Sequence, residues 1–322
     1  MATKGESKKV TMLRFGVAQI PMRVGLDEYD GAFVPGWDEE YQIDDALLED
    51  LAVNVEDDQP AFLVGPTGCG KSAGVLALAS LCNQPARRMN LNGDVRSASF
   101  VGEKILTVDP KTGQSITEWR DGLLPDAMRR GHWVILDEFD ACPPEIAMVV
   151  QAVLEGGHTL VLADNHGEVV RPHVNFRIFA TGNTIGRGDL TGLYTGTHTM
   201  NEATLDRFTV IPVNYLAEAA EKAVVVAKCG IDEAVAGLMV EVARAVRSGF
   251  DKAECTCTFS TRRLIAWGKL IRRYLGDARS KAAWKTAEIR GYRLACGSKL
   301  GPEDRLYVAG IVQRVMSIDV DK

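Results

Sequence analysis

The sequence predicts an α/β fold, in which a parallel sheet is flanked by helices and followed by a helical second domain. A short apolar run, "AFLVG", enters a glycine-rich turn and then a helix-forming stretch, which gives the order strand, loop, helix. Two further apolar runs, "WVIL" and "FRIFA", are continuous in the way that strands buried on both faces of a parallel sheet are. Beyond Tyr215, apolar residues recur at helical spacing in several consecutive segments.

This pattern divides the 322 residues into three predicted regions. Residues 1–40 form an acidic N-terminal segment with short strands, residues 41–214 form the α/β domain, and residues 215–322 form the helical domain. An amphipathic helix, "YQIDDALLEDLAVNVED", opens the α/β domain. Two hairpins with polar tips, "VGEKILTVDPKTGQSITEWRDG" and "HTLVLADNHGEVVRP", interrupt it.

The composition is that of an ordinary globular protein, with 46% hydrophobic and 25% charged residues. No apolar run approaches the roughly 18 residues of a membrane span, and the N-terminus lacks the apolar core of a signal peptide. The seven cysteines are odd in number and scattered, and "CTC" at Cys255 and Cys257 lacks the spacing of a zinc site. We therefore expect a cytoplasmic protein with reduced thiols.

The net charge of −6 conceals an asymmetry along the chain. Residues 1–60 carry 14 acidic and 5 basic side chains, whereas residues 260–293 carry 10 basic and 2 acidic ones. Three interpretations stay open: two solvated helical faces, opposite surfaces that meet between copies of the chain, or a basic segment that meets an acidic partner or nucleic acid.

The glycine-rich turn fits the phosphate-binding pattern G-x-x-x-x-G-K-[ST] in full. In this pattern backbone N–H groups point at phosphate oxygens, and the following helix adds the positive end of its dipole. The lysine is expected to reach the β- and γ-phosphates, and the serine is expected to bind Mg²⁺. The predicted nucleotide-binding residues are Gly65, Pro66, Thr67, Gly68, Cys69, Gly70, Lys71 and Ser72.

Acidic and amide side chains follow the other two predicted strands. Asp137 and Glu138 come directly after "WVIL", where Asp137 would hold Mg²⁺ through water and Glu138 would activate an attacking water molecule. Asn183 follows the third strand and could hydrogen-bond the γ-phosphate or that water. The adjacent acidic pair favours hydrolysis over mere nucleotide binding.

The chain resembles the AAA+ ATPases, and within them the MoxR-type group. The resemblance covers residues 14–275 and includes "EATLDRF" and "FSTRR" beside the three strands. "DEFDACPPEIAMVVQAVLEGG" and "VVRPHVNFRIFATGNTIGRGDL" narrow it to the CobS-like branch, which contains the ATPase subunits of aerobic cobaltochelatases. The resemblance implies an AAA+ P-loop core with a C-terminal helical lid. It also implies a ring, expected to be a hexamer, that uses ATP and Mg²⁺ and acts with a partner carrying a von Willebrand factor A (VWA) domain.

The resemblance also assigns roles to single positions of this sequence. These are Walker A at Lys71 and Ser72, Walker B at Asp137 and Glu138, sensor 1 at Asn183, the arginine finger at Arg207 and sensor 2 at Arg262. Arg263, beside Arg262, leaves the sensor 2 position open between the two arginines. Asn90 stands where such proteins place a polar residue that reorients the catalytic glutamate. Arg207 is expected to act on the nucleotide of a neighbouring subunit.

Three functions are compatible with these residues. The first is a ring ATPase that remodels or activates a protein partner, with a cobaltochelatase motor as its narrowest version. The second is a nucleic-acid-directed motor or restriction-type NTPase, which the basic stretch Arg262–Arg293 favours. The third is a stand-alone phosphotransferase, in which Arg207 would have no evident use.

Overall fold

The structure is a computed structural model that describes residues 11–91, 95–155, 157–186, 197, 199–277 and 280–320. Residues 1–10 of the predicted N-terminal segment lie outside this part of the chain. The strands are β1 Met12–Phe15, β2 Ala18–Pro21, β3 Ala61–Val64, β4 Ala86–Asn90, β5 Gly102–Val108, β6 Ser115–Asp121, β7 Trp133–Asp137, β8 Leu160–Leu162, β9 Glu168–Val170, β10 Arg177–Gly182 and β11 Thr209–Pro212. The helices are α1 Glu28–Gly31, α2 Asp45–Glu56, α3 Lys71–Leu81, α4 Ser97–Phe100, α5 Leu123–Arg130, α6 Pro144–Leu154, α7 Glu202–Leu205, α8 Glu218–Cys229, α9 Glu233–Asp251, α10 Thr261–Leu275, α11 Lys281–Ala295 and α12 Pro302–Met316.

A five-stranded parallel sheet with the order β11-β3-β10-β7-β4 forms the centre of the α/β region. The central strands β3, β10 and β7 are mostly apolar because both faces of the sheet are covered there, and every residue of β7 is buried. The outer strand β4 carries Arg87 and Arg88. The predicted α/β class is therefore confirmed. Because the strands are parallel, the carboxyl ends of β3, β7 and β10 meet at one edge, which is where parallel sheets bind ligands.

Helices α2 and α3 pack together beside this edge. The Asp44 carboxylate caps α2 by accepting a hydrogen bond from the Ala46 backbone N–H at 2.9 Å. Gly74 of α3 packs against Leu47 and Leu51 of α2. A Cβ at Gly74 would lie 3.4 Å from the Leu47 side chain and 3.6 Å from that of Leu51, which is van der Waals contact. The predicted amphipathic helix is thus present, and its apolar face covers the helix that follows the glycine-rich turn.

Both predicted hairpins are present as separate two-stranded sheets, β5–β6 and β8–β9. At the β5–β6 tip, Asp109 accepts hydrogen bonds from the Lys111 backbone N–H at 2.8 Å and the Thr112 hydroxyl at 2.9 Å. The Lys111 bond is the main cause that lowers the pKa of Asp109. Leu106 and Val108 on the same hairpin are exposed, which leaves an apolar strip on its surface.

The chain divides into two units, one of residues 1–38, 43–65 and 71–213, and one of residues 39–42, 66–70 and 214–322. The first unit contains the parallel sheet. The second contains α8 to α12, which pack around the buried side chains of Phe259, Trp267 and Tyr292. The residues 66–70, here called the glycine loop, belong to the second unit. Within the described ranges, no helix is both long and apolar enough to cross a bilayer.

A buried histidine connects α1 to the start of β7. The His132 side chain is fully buried, and its Nε2 lies 2.9 Å from Oδ1 of Asp30. Arg130 reaches the same carboxylate oxygen at 3.1 Å. Burial is the main cause that lowers the pKa of His132 below its ordinary value of 6.5, because it penalises the charged ring.

We predict that His132 makes the protein less stable in mild acid. The unfolded chain takes up a proton as the pH falls below 6.5 and the folded ring does not, so the free energy of unfolding falls by at most about 1.4 kcal/mol per pH unit until the folded pKa is reached. Urea unfolding at pH 8, 7, 6 and 5 measures this slope. His132→Asn should flatten it and the exposed-site control His166→Asn should not. Equal slopes in the two variants would contradict the assignment.

Candidate nucleotide site

The glycine loop has a backbone that only glycine adopts easily at two positions. Gly68 has φ +70° and Gly70 has φ +103°. A Cβ at Gly68 would also lie 2.6 Å from the Cβ of Ser260, so the position lacks room for a side chain. These two constraints keep the loop backbone bare, which is what a cradle of N–H groups for phosphate oxygens requires.

Lys71, the first residue of α3, points its ammonium group at two oxygen atoms. Its Nζ donates to the Gly65 carbonyl oxygen at 2.7 Å and to Oδ1 of Asn183 at 3.1 Å. Asn183 follows β10 directly, as predicted, and the parallel pairing of β3 with β10 brings the two residues together across 112 positions of sequence. The predicted Walker A lysine and sensor 1 asparagine are therefore in direct contact.

The Asp137 carboxylate joins four elements at the end of β7. Its Oδ1 accepts hydrogen bonds from the Ser72 hydroxyl at 2.5 Å and the Thr181 hydroxyl at 2.7 Å. Its Oδ2 pairs with the guanidinium of Arg88 on β4. Ser72 and Asp137 thus form the hydroxyl and carboxylate pair that Mg²⁺ favours, and they fit the predicted metal site. Sequence reasoning missed Thr181 and Arg88, because nothing in their local sequence marks them as partners of Asp137.

Glu138 is exposed at the same edge of the sheet and has an uncommon backbone conformation, with φ +58°. It precedes the 3₁₀ turn Phe139–Ala141. No hydrogen bond holds its carboxylate among the described residues, which leaves the group accessible to water. Asn90 is paired in register with Asp137, so it ends β4 one position from Glu138. Backbone conformations of this kind are concentrated at functional sites.

Asp140 is a third acidic residue of the site, and sequence reasoning did not single it out. Its side chain is only 1% exposed. Its Oδ2 accepts three hydrogen bonds, from the backbone N–H groups of Asn183 and Thr184 at 2.9 Å each and from the Thr184 hydroxyl at 3.0 Å. Asp140 therefore fixes the turn that carries Asn183. The signal was present in "DEFD" as a third acid, two residues after Glu138.

Arg207 lies apart from these residues, just after α7. Its Nη2 forms a 2.9 Å ion pair with Oε1 of Glu155, and its Nη1 contacts the Ala203 carbonyl oxygen. The side chain is 28% exposed. The structure therefore does not bring Arg207 to the Walker A lysine of its own chain, and it places the guanidinium where a nearby surface carboxylate orients it.

In the second unit, Arg262 and Arg263 lie in the first turn of α10 and have different neighbours. The Cβ of Arg262 lies 3.7 Å from the position that a Cβ on Gly68 would take, so this residue adjoins the glycine loop. The guanidinium of Arg263 lies 5.1 Å from the ring centre of Phe259, within the helical unit. This arrangement favours Arg262 over Arg263 as the residue that faces a bound phosphate.

Cys255 and Cys257 do meet a third potential metal ligand, Asp304, with ligand atoms within 4.8 Å of one another. Both oxygens of Asp304 are already hydrogen-bonded, to the Thr256 backbone N–H and to its hydroxyl, at 2.8 Å each. Burial raises the pKa of Cys257 to about 12, which keeps this thiol protonated at neutral pH. The hydrogen bonds account for the position of Asp304 as a turn contact.

Two family models match the chain. The family "AAA domain (dynein-related subfamily)" matches residues 60–208, and "CbbQ/NirQ/NorQ C-terminal" matches residues 221–287. The aerobic cobaltochelatase subunit CobS of Sinorhizobium sp is 34% identical over 261 residues, which are 79% of this chain and 77% of that protein. Protein CbbQ of Hydrogenophilus thermoluteolus is 32% identical over 216 residues, 66% of this chain and 74% of that protein.

A solved structure shares the fold at much lower sequence identity. The RuvB Holliday junction branch migration motor of Thermotoga maritima superposes with a TM-score of 0.52 and 13% identity, covering 90% of this chain and 87% of its own. At this identity the likeness establishes a common fold and nothing about what is bound or moved.

We predict that Asp140→Ala lowers the free energy of unfolding by about 1–3 kcal/mol, because it leaves partly buried hydrogen-bond donors at Asn183 and Thr184 without their acceptor. Urea unfolding measures the change. Asp164→Ala, an exposed aspartate in the β8–β9 hairpin, is the matched control and should fall within about 0.5 kcal/mol of the native chain. Equal stability of the two variants would show that the turn does not depend on Asp140.

Proposed function

We propose that this chain, which belongs to the MoxR-type AAA+ ATPases and is related to CobS and CbbQ, hydrolyses ATP to remodel or activate a protein partner. The observation that carries the proposal is the meeting of Ser72 with Asp137 and of Lys71 with Asn183. Four residues from three separate segments converge there, in the arrangement that nucleotide hydrolysis needs.

The proposed chemistry divides among these groups. The glycine loop and Lys71 bind the β- and γ-phosphates. Ser72 and Asp137 would hold Mg²⁺, which would supply positive charge to offset that of the phosphates. Glu138 takes a proton from the attacking water, for which its exposed carboxylate is suited. Asn183 orients the γ-phosphate or that water from the turn that Asp140 fixes.

We further propose a ring of identical subunits, expected to be a hexamer, in which Arg207 acts on the nucleotide of a neighbour. The support is its position away from Lys71 of its own chain and its partly exposed guanidinium, which Glu155 orients. An arginine supplied by a neighbour stabilises charge on the transferred phosphoryl group, and such fingers contribute about 10³–10⁵ in rate.

The proposed partner is a protein with a VWA domain, in a complex similar to a metal chelatase. Support comes from the match to the CobS subunit of aerobic cobaltochelatase, which covers most of both chains. The exposed apolar strip at Leu106 and Val108 is a candidate contact surface for such a partner, since solvent-exposed apolar residues favour association.

One observation favours the alternative of a nucleic-acid-directed motor. Helices α10 and α11 expose a series of basic side chains: Arg262, Lys269, Arg272, Arg273, Lys281, Lys285 and Arg290. Measuring ATP turnover with a VWA protein, DNA or RNA added decides between the two. Stimulation by nucleic acid alone, with a steep loss at higher salt, would replace the proposed function.

We predict that Glu138→Gln keeps nucleotide binding and lowers hydrolysis by about 10²–10⁴, because the amide keeps the shape of the side chain and cannot accept the proton. Bound nucleotide and phosphate release are measured on the same sample. Glu145→Gln, on the exposed first turn of α6, is the control and should hydrolyse normally. Normal phosphate release from Glu138→Gln would remove this residue from the reaction.

We predict that Arg207→Ala and Lys71→Ala are each inactive and that a mixture of the two regains partial ATPase activity. In mixed rings, some interfaces combine an intact Lys71 with an intact Arg207. The control Arg171→Ala, at an exposed arginine, should stay active. If subunits exchange and no mixture regains activity, the proposed action across the interface is wrong.

A second comparison separates catalysis from a purely structural ion pair. If Arg207 served only Glu155, then Glu155→Ala and Arg207→Ala would reduce ATPase activity to the same extent. We expect Glu155→Ala to retain most of the activity, because the guanidinium remains available to the neighbouring site.

A further inference from the structure

The helical unit contains a largely buried ion pair, in which the side chain of Arg247 is 12% exposed and that of Glu221 is fully buried. Glu221 of α8 is 0% exposed, and its two oxygens accept hydrogen bonds from Nη1 and Nη2 of Arg247 on α9 at 2.7 Å each. Removing two charges from water is costly, and apolar residues of similar size often stabilise a protein as well or better. The bidentate geometry does, however, fix the two side chains in one orientation.

Each member of the pair also holds the chain just before or at the start of α10. Nε of Arg247 donates to the Phe259 carbonyl oxygen at 2.7 Å, and the Thr261 hydroxyl donates to Oε1 of Glu221 at 2.6 Å. Ser260 lies between Phe259 and Thr261 in the chain, and its hydroxyl caps α10 by accepting a hydrogen bond from the Arg263 backbone N–H at 3.2 Å. The first turn of α10 is thus attached on both sides of its cap, immediately before Arg262.

The same guanidinium is connected to the glycine loop. Arg247 lies 3.7 Å from the ring centre of Tyr215, a stacking distance. The Tyr215 hydroxyl donates to the Thr67 carbonyl oxygen at 3.0 Å. Ser260 also packs directly against Gly68, because a Cβ at Gly68 would meet the Ser260 side chain. The cap of α10 and the glycine loop are therefore in contact. One buried pair therefore anchors both the loop and the turn that bears Arg262.

We propose that the Glu221–Arg247 pair is a positioning device for nucleotide binding, which sets Arg262 against the glycine loop through Thr261 and Tyr215. The inference rests on the proposed function insofar as Arg262 faces a bound phosphate. Neither member of the pair contacts the nucleotide itself. Burying the charges lowers the stability of the fold, and what the chain gains is a fixed geometry at a phosphate site. A misplacement of about 1 Å at such a site costs much of its function.

The test is a double-mutant cycle on the affinity for a fluorescent ATP analogue, with binding rather than hydrolysis as the readout. Thr261→Val keeps the shape of the side chain and removes its bond to Glu221, and it should weaken binding about fivefold. Arg262→Ala should weaken binding about tenfold. The double variant should bind as Arg262→Ala alone does, since Thr261 acts through Arg262.

Additive weakening in the double variant would overturn the proposal, and so would unchanged affinity in either single variant. Thr286→Val is the matched control, because the hydroxyl of this exposed α11 threonine bonds only to the carbonyl of Ala282 in its own helix. It should leave affinity unchanged. Thermal unfolding of each variant identifies losses of affinity that come from a destabilised helical unit, and a loss that follows the melting temperature would count against positioning.

A milder variant tests the arm that reaches the loop. Tyr215→Phe keeps the stacking on Arg247 and removes the bond to Thr67, so it should weaken binding about threefold with an unchanged melting temperature. Unchanged affinity would overturn this arm. Phosphate release is measured separately: a chain that binds the analogue and never hydrolyses ATP would contradict the proposed function while the binding cycle still decides the role of the pair.

Discussion

The carboxylate of Asp137 is the point on which the α/β region depends. It accepts hydrogen bonds from the start of α3 and from β10, and it pairs with an arginine on β4. Neighbouring strands already bring these segments to one edge of the sheet. The shared carboxylate then fixes Ser72 against the strand ends. The contact between Ser72 and Asp137 is therefore held by the sheet and by the first turn of α3.

A second carboxylate supports this arrangement from within. Asp140 is buried two residues beyond Glu138 and holds the turn after β10 through three hydrogen bonds. The backbone of Asn183 is therefore held by Asp140, and its side-chain oxygen accepts a hydrogen bond from Lys71. In the helical unit, the Glu221–Arg247 pair has a comparable position relative to Arg262. In both units, buried acids that carry no proposed chemistry hold residues that do.

The sequence by itself determined the fold class and the main residues of the site. Continuous apolar strands, the full phosphate-loop pattern and the acid pair after β7 are local features, and each needs only adjacent residues to be recognised. The two hairpins and the amphipathic α2 are likewise encoded in short-range alternation and periodicity. Family motifs added the predictions for Arg207 and Arg262, whose proposed roles depend on a neighbouring subunit or on the helical unit and have no local signature.

Tertiary structure alone decided which residues support the main residues of the nucleotide site. Arg88 and Thr181 reach Asp137 because the parallel strands β4 and β10 lie on either side of β7, and strand order cannot be read from spacing along the chain. Asp140 acts from the turn after β7, which lies beside the turn after β10. The choice between Arg262 and Arg263 depends on where α10 meets the glycine loop. Glu221 and Arg247 pair across 26 residues, and their sequence patterns are those of two ordinary amphipathic helices. Buried polar partners are selected by geometry in three dimensions, and short-range sequence patterns contain no information about that geometry.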